Sequence, residues 1–279
     1  MKVKKPRPAA PLTSEYRIFQ ESDMKKKSLL HRILWICVCL ATVLMFSCIF
    51  SPEDGDGDDP AGGGSANGVY AKLIVARITV ESTPTPYTTD SIEAIFSGNY
   101  DPCAIVSDLQ PTSVECDDSS ENYILVYEND KYIYDQDPPD ADFLILGNTY
   151  DFTVTASSEV PDLTADIILP SAEPTITNPG FGDGVSPSSD LTITWNSTGS
   201  GTVIIIMMNT GTSEVVISDE TEDDGSYTIG SSTLSGFSTG DYYLQIERYS
   251  EETITATGYD DRSIIRGRLM SMVYFSLTS

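Results

Sequence analysis

From Val69 onward, apolar and polar residues alternate along short runs, which clusters of Gly, Pro, Asn, Asp and Ser separate. In the run 149–156, for example, Tyr150, Phe152 and Val154 alternate with Asp and Thr. A period of two is typical of a strand that buries one face and exposes the other. No run of ten or more residues after Val69 has a convincing helical period. The pattern therefore predicts an all-β fold.

The predicted strands form two sets, which the proline-containing segment 170–174 separates. They cover 70–80, 91–96, 123–128, 131–134, 141–145, 149–156 and 165–169 in the first set, and 175–177, 190–195, 202–208, 214–218, 226–229, 241–248 and 272–277 in the second. Short strands at such spacing favour two tandem β-sandwiches, over 69–170 and 171–279. The run 202–208, TVIIIMM, has no polar side, so we expect a central strand that is covered on both faces.

The first 68 residues have a different character, with a basic start, an apolar run over 33–50 and an acidic stretch. Residues 1–47 hold nine Lys and Arg against three Asp and Glu, a local net charge of +6 within a total of −26. The rest of the chain therefore carries −32. A basic head, an apolar run and an acidic body in this order indicate an exported protein. Residues 48–68 are rich in Gly, Asp and Pro, which predicts a flexible acidic linker.

The end of the apolar run, Met45-Phe46-Ser47-Cys48, resembles the signal of bacterial lipoproteins, in which a small residue precedes a lipidated cysteine. The resemblance implies that residues 1–47 are a signal peptide and that Cys48 carries the lipid. Met24, which three lysines follow, offers an alternative start. Ile49 is not the Asp that commonly retains such proteins at the inner membrane, which favours the outer membrane or the cell surface. The alternative is an uncleaved single-span anchor over 33–50 in the inner membrane.

Two further patterns resemble known β-sandwich families. Leu144, Gly147 and Tyr150 resemble the corner before strand F of fibronectin type III domains, where a tyrosine hydroxyl bonds back to the main chain. From Pro174 to about Arg248, the order PTITNPGFG, LTITWNS, GSYTI and GDYYLQI resembles the Ser/Thr-rich immunoglobulin-like module of secreted and wall-associated proteins. These resemblances imply that both sandwiches are immunoglobulin-like.

Cys103 and Cys116 are the two cysteines of the predicted sandwiches. In an oxidising compartment, two cysteines that a short loop separates most simply form a disulfide. The alternative is a reactive thiol pair, but neither cysteine has a nearby His or Lys in the sequence to lower its pKa. We therefore expect a Cys103–Cys116 disulfide.

The inventory of reactive side chains argues against catalysis. His31 is the only histidine, and Lys72 and Lys131 are the only lysines after Cys48. The residues after Cys48 therefore lack the histidine that imidazole-based catalytic triads and imidazole metal sites require. The net charge of −26 also argues against nucleic acid as a partner, since phosphate binding needs a basic surface. We expect a protein that is not an enzyme.

Acidic clusters form the remaining candidate chemistry, at Asp135 and Asp137 and at Asp219 and Asp223. The simple interpretation is that they are solvated loops that keep the protein soluble. The alternative is calcium, which prefers hard oxygen ligands from converging loops. Apart from calcium at these four residues, we expect no cofactor.

Together these patterns predict a membrane-anchored lipoprotein outside the cytoplasm with a structural, adhesive or display role. The alternative is a carbohydrate- or peptide-binding module, or a subunit of an envelope complex. The membrane is then one partner, and a surface glycan or protein another. A contiguous row of exposed aromatic side chains on one sheet would favour the binding module.

Overall fold

A computed structural model describes residues 68–82, 86–98, 107–134 and 143–278. Within these ranges the chain consists of fifteen strands and one short helix, α1 (Ser231–Leu234). In chain order the strands are β1 (Tyr70–Val80), β2 (Tyr87–Ser97), β3 (Ser113–Asp117), β4 (Asn122–Glu128), β5 (Lys131–Ile133), β6 (Thr149–Thr155), β7 (Leu163–Ile168), β8 (Ile176–Asn178), β9 (Gly184–Val185), β10 (Leu191–Trp195), β11 (Thr202–Asn209), β12 (Glu214–Glu222), β13 (Ser226–Ile229), β14 (Gly240–Thr253) and β15 (Ile264–Leu277). The predicted all-β class is confirmed.

The strands form one large sheet and one small sheet. The large sheet has the order β12-β11-β14-β15-β1-β2-β5-β4-β3-β6-β7, with β9 beside β15, and the small sheet has the order β13-β10-β8. The ladder between β1 and β15 is parallel and pairs Lys72 through Val80 with Ile264 through Met272. The first and last described strands are therefore neighbours in the same sheet.

Two apolar cores form where the alternating side chains of facing strands meet. The first core contains Val75, Phe152 and Leu269, and the second contains Trp195 and Phe275. Leu269 and Phe275 both lie on β15, so this strand contributes to both cores. The two cores belong to the same compact unit of the chain.

Several strands were predicted closely, and some were missed. β11 covers the TVIIIMM run, lies between β12 and β14, and buries residues 203–208, as expected of a central strand. β3 (Ser113–Asp117) was not predicted, and residues 143–145, predicted as part of a strand, are not in one. β15 begins at Ile264, eight residues before the predicted start at 272, because its charged first half still pairs with β1 and β14. The limits 69–170 and 171–279 of the two sandwiches stay a prediction.

The predicted signal peptide, 1–47, the alternative anchor, 33–50, and the linker up to Asn67 lie outside the described residues. Among the residues that are described, no helix is long and apolar enough to cross a membrane.

Candidate functional site

The segment that joins the first set of strands to the second, residues 169–175, is held by two buried arginines. Arg77 on β1 donates from Nε and Nη2 to the two carboxylate oxygens of Asp90, each at 2.7 Å. The same guanidinium donates from Nη1 to Oε1 of Glu173 at 3.1 Å. Thr79 adds a hydrogen bond from Oγ1 to Oε2 of Glu173 at 3.0 Å. We call residues 169–175 the connector, and Arg77 ties it to the first core.

Arg248 on β14 holds the connector from the second core. Its Nη1 donates to the carbonyl oxygen of Ala172 at 2.7 Å, and its Nη2 donates to that of Asn196 at 2.8 Å. Its Nε donates to Oδ2 of Asp223 at 2.8 Å. Asn196 in turn donates from Nδ2 to the carbonyl oxygen of Glu173 at 2.9 Å. The connector is therefore bonded to side chains from both sets of strands.

Strand periodicity places both arginines at this point. On β1, Leu73 and Val75 enter the first core, and Arg77, two residues further, lies on the same side of the strand. On β14, Leu244 and Ile246 enter the second core, and Arg248 follows in the same way. Each arginine therefore ends an apolar stripe, where its long side chain can reach the connector.

A turn between β12 and β13 positions the carboxylate that pairs with Arg248. Gly225 has a φ of +91°, which a residue with a Cβ rarely adopts, and the chain reverses there. Asp223 then points inward and accepts from Trp195 Nε1 at 2.7 Å and from Thr198 Oγ1 at 2.5 Å, in addition to Arg248. Both carboxylate oxygens of Asp223 are thereby engaged.

The electrostatics of the two pairs follow from burial and hydrogen bonding. Burial alone would raise the pKa of the Asp223 carboxyl, but hydrogen bonds from Arg248, Thr198 and Trp195 outweigh it and hold that pKa below its ordinary value. The hydrogen bonds to Asp90 raise the pKa of Arg77. The Asp side chains are fully buried, and the Arg side chains are 8–9% exposed. Such pairs are costly to break, since one buried charge is left without its partner.

The candidate lipidation and disulfide residues are described only in part. Cys48 and Cys103 lie outside the described residues. Cys116 is on β3, where its side chain is fully buried in the first core. Burial, and then the charge of Asp118, raises the pKa of its thiol, so this sulfur is not an activated nucleophile. The Cys103–Cys116 disulfide and lipidation at Cys48 stay predictions.

The four calcium candidates are likewise divided. Asp135 and Asp137 lie outside the described residues. Asp223 is the partner of Arg248, and Asp219 accepts a hydrogen bond from the Tyr227 hydroxyl at 2.6 Å. In the described ranges, no three His, Cys, Asp or Glu side chains are grouped as a metal site would require. The calcium alternative stays a prediction.

The tyrosine corner that the sequence resembles is present. Ile145 N donates to the Tyr150 hydroxyl oxygen at 2.6 Å, and that hydroxyl lies 3.3 Å from the Ile145 carbonyl oxygen, to which it donates. The side chain of Tyr150 is fully buried in the first core. It fixes the turn before β6 to the core.

Exposed aromatic side chains are few and separate in the described part of the chain. Tyr127 is 37% exposed and Phe181 is 41% exposed. They lie on different elements: Tyr127 is on β4, and Phe181 is in the loop before β9. Of the four tyrosines that could form a binding face if they pointed outward, Tyr132 and Tyr243 are buried, and Tyr134 and Tyr249 are half-buried. The described residues thus lack the contiguous aromatic row that would favour a carbohydrate-binding module.

Sequence reasoning missed the two arginines at the connector. The signal that could have found them is an arginine that ends an alternating apolar stripe, in LIVAR and in LQIER. A cation that follows a buried stripe is itself buried, so it needs an anionic partner. The 39 acidic residues after residue 47, against seven basic ones, make a carboxylate the expected partner. Asp223 was noted only as a candidate calcium ligand.

Comparison with known proteins finds similarity to immunoglobulin-like domains. The family described as Kre9/KNH-like N-terminal Ig-like domain matches residues 178–262. A comparison with curated protein sequences found no match.

Similar solved structures include the FN1–FN3 domains of chicken CNTN1, at 13% identity and a TM-score of 0.23, over 74% of this chain and 66% of that one. They also include fibronectin(III)-like modules of Clostridium thermocellum CbhA, at 13% identity and a TM-score of 0.22, over 75% of this chain and 94% of that one. This chain thus spans slightly less than two thirds of the CNTN1 chain. With the family match, the strand pattern and the tyrosine corner, the chain contains an immunoglobulin-like, fibronectin III-like β-sandwich domain.

Proposed function

We propose that the protein is a non-catalytic, rigid body that a lipid at Cys48 anchors in the cell envelope, at the outer membrane or the cell surface, for a structural, adhesive or display role. The observation that carries the proposal is the connector held by Arg77 and Arg248. The two cores share β15, and both are bonded to the connector. One end of the protein is therefore held at a fixed position relative to the other. A body of this kind is suited to holding a surface away from a membrane.

The non-catalytic role rests on the chemistry of the side chains. The body has no histidine and two lysines, and Lys131 is paired with Glu93 at 2.9 Å. Arg77 and Arg248 are engaged in holding the connector. Two further arginines, Arg262 and Arg266, are paired with Asp260 and Glu251. No set of described residues can be given the roles of nucleophile, base and orienting group.

The anchor rests on Ser47 and Cys48 at the end of the apolar run. To test it, cells expressing the full chain are fed an alkyne fatty acid, and labelled protein is detected after click coupling. We expect the wild type to be labelled and Cys48→Ala to be unlabelled. Cys37→Ala and Cys39→Ala, in the same apolar run, are matched controls that should keep the label.

The alternative anchor predicts a different outcome. If residues 33–50 remain as a single span, Cys48→Ala stays in the membrane with an intact N-terminus. That result would overturn lipidation and place the body at the inner membrane instead.

A further inference from the structure

β12 (Glu214–Glu222) is the terminal strand of the large sheet, and no described strand pairs with its outer side. Asp223 N donates to the carbonyl oxygen of Gly201 at 2.9 Å, which fixes the phase of the β11–β12 ladder. In an antiparallel ladder, residues alternate between bonding the neighbour and facing away. Because Thr202 pairs with Glu222 in the same register, the backbone groups of Ser218, Glu220 and Glu222 face the open edge.

The other sheet edges in the described part of the chain are shorter or engaged. β7, at the opposite end of the large sheet, has six residues, and the carbonyl oxygen of Ile168 accepts a hydrogen bond from Ser250 Oγ. β8 and β13, at the edges of the small sheet, have three and four residues, and β9, beside β15, has two. β12, with nine residues, is the longest of these edges.

The side chains of β12 determine which partner fits. Glu214, Asp219, Glu220 and Glu222 are exposed carboxylates along the strand. A second copy of this chain would place carboxylates against carboxylates, and like charges on adjacent strands are destabilising. A cationic strand would place opposite charges at the same positions. Val215, Val216 and Ile217 are half-buried and offer apolar contacts at one end of the edge.

We propose that β12 binds an extended, lysine- or arginine-rich segment of a partner protein by strand addition. The partner backbone pairs with the N–H and C=O groups of Ser218, Glu220 and Glu222, and its basic side chains face the carboxylates. This inference deepens the proposed display role, on which it rests, by naming the docking edge and the chemistry of what docks there.

The test uses the full-length protein in non-ionic detergent and a fluorescent nine-residue peptide of alternating Lys and Val. We expect saturable binding by fluorescence anisotropy. A Lys-Val peptide that is N-methylated at every lysine carries the same charge but lacks the N–H groups that would face Ser218, Glu220 and Glu222, so it should bind at least tenfold more weakly. Ser218→Pro removes an N–H that faces the edge, a position where a strand tolerates proline, and should weaken binding of the Lys-Val peptide at least tenfold.

Thr228→Pro is the matched control, on the outer edge of β13. Trp195 N donates to the Gly225 carbonyl oxygen, so the Thr228 backbone also faces away from its neighbour β10. This variant should bind the Lys-Val peptide as the wild type does. Equal binding of both peptides, or unchanged binding by a folded Ser218→Pro, would overturn strand addition at β12. Either result would leave fatty-acid labelling at Cys48 unaffected, so the two proposals fail separately.

Discussion

Replacing Arg248 by methionine tests whether the connector is held as described. Methionine fills the space of the apolar stem of arginine but has no guanidinium. The buried Asp223 carboxylate is then left without its cation, and the Ala172 and Asn196 carbonyl oxygens are left without their donor. Removing one partner of a buried pair costs about 3–5 kcal/mol. For a body of this size, that cost lowers the melting temperature by about 6–20 °C.

Trp195 is a reporter for this change because it donates to Asp223. The chain has two tryptophans, and Trp35 lies in the predicted signal peptide. A Trp35→Phe background therefore leaves Trp195 alone whether or not residues 1–47 are removed. We expect the urea midpoint, followed by fluorescence, to fall by about 1–2.5 M in Arg248→Met, with an m-value of about 2–3 kcal/mol/M. Arg262→Met is the matched control, because Arg262 pairs with Asp260 but its side chain is 43% exposed. Its expected cost is smaller than that of Arg248→Met, because water already solvates much of the Arg262 guanidinium and Asp260 keeps the hydrogen bond from the Arg262 backbone N–H.

The pH dependence gives a second readout. The pKa of Asp223 is lowered in the folded protein, so its contribution to stability is present above the ordinary value of about 3.9 and is lost as pH falls through the lowered value. In Arg248→Met the carboxyl has no cation to lower its pKa. The stability gap between wild type and variant should therefore narrow below about pH 4. A difference in unfolding free energy under about 1 kcal/mol at pH 7, or one that stays constant down to pH 3, would refute the claim that Arg248 stabilises the buried Asp223 carboxylate.

Three further predictions concern the cores and the loops. Tyr150→Phe removes the hydroxyl that bonds Ile145 N and O, and should cost about 1–3 kcal/mol by urea unfolding; an unchanged midpoint would mean that the corner contributes nothing. Thiol titration of the denatured, unreduced protein should find Cys103 and Cys116 unreactive, and two titrating thiols there would contradict the disulfide. Millimolar calcium should leave the melting temperature unchanged if the acidic clusters are solvated loops, whereas a rise that a chelator reverses would support calcium sites.

Local pattern was sufficient for much of the fold. Alternation located β6 and β10, and the absence of a polar side on β11 indicated a central strand. Pattern could not show that β15 lies parallel to β1, because a pairing between residues nearly two hundred positions apart leaves no local signal. The sequence did not predict β3 because its five-residue run, SVECD, has only two apolar residues, which are too few to establish a period of two.

The connector could have been predicted only in part. Arg77 and Arg248 are visible as arginines at the ends of apolar stripes, but their partners are not. Asp90 lies 13 residues from Arg77, Glu173 lies 96 from it, and Asp223 lies 25 from Arg248. In a chain with 42 acidic residues, many carboxylates could pair with either arginine. Tertiary structure selects the ones that do.

The intact mass of the protein extracted from membranes tests the central claim of lipid-anchored display most directly. We expect a species that begins at Cys48 and carries additional acyl mass, which alkaline hydrolysis of ester-linked chains reduces. A species that retains residues 1–47 without acyl mass would contradict the account and favour the single-span anchor over 33–50.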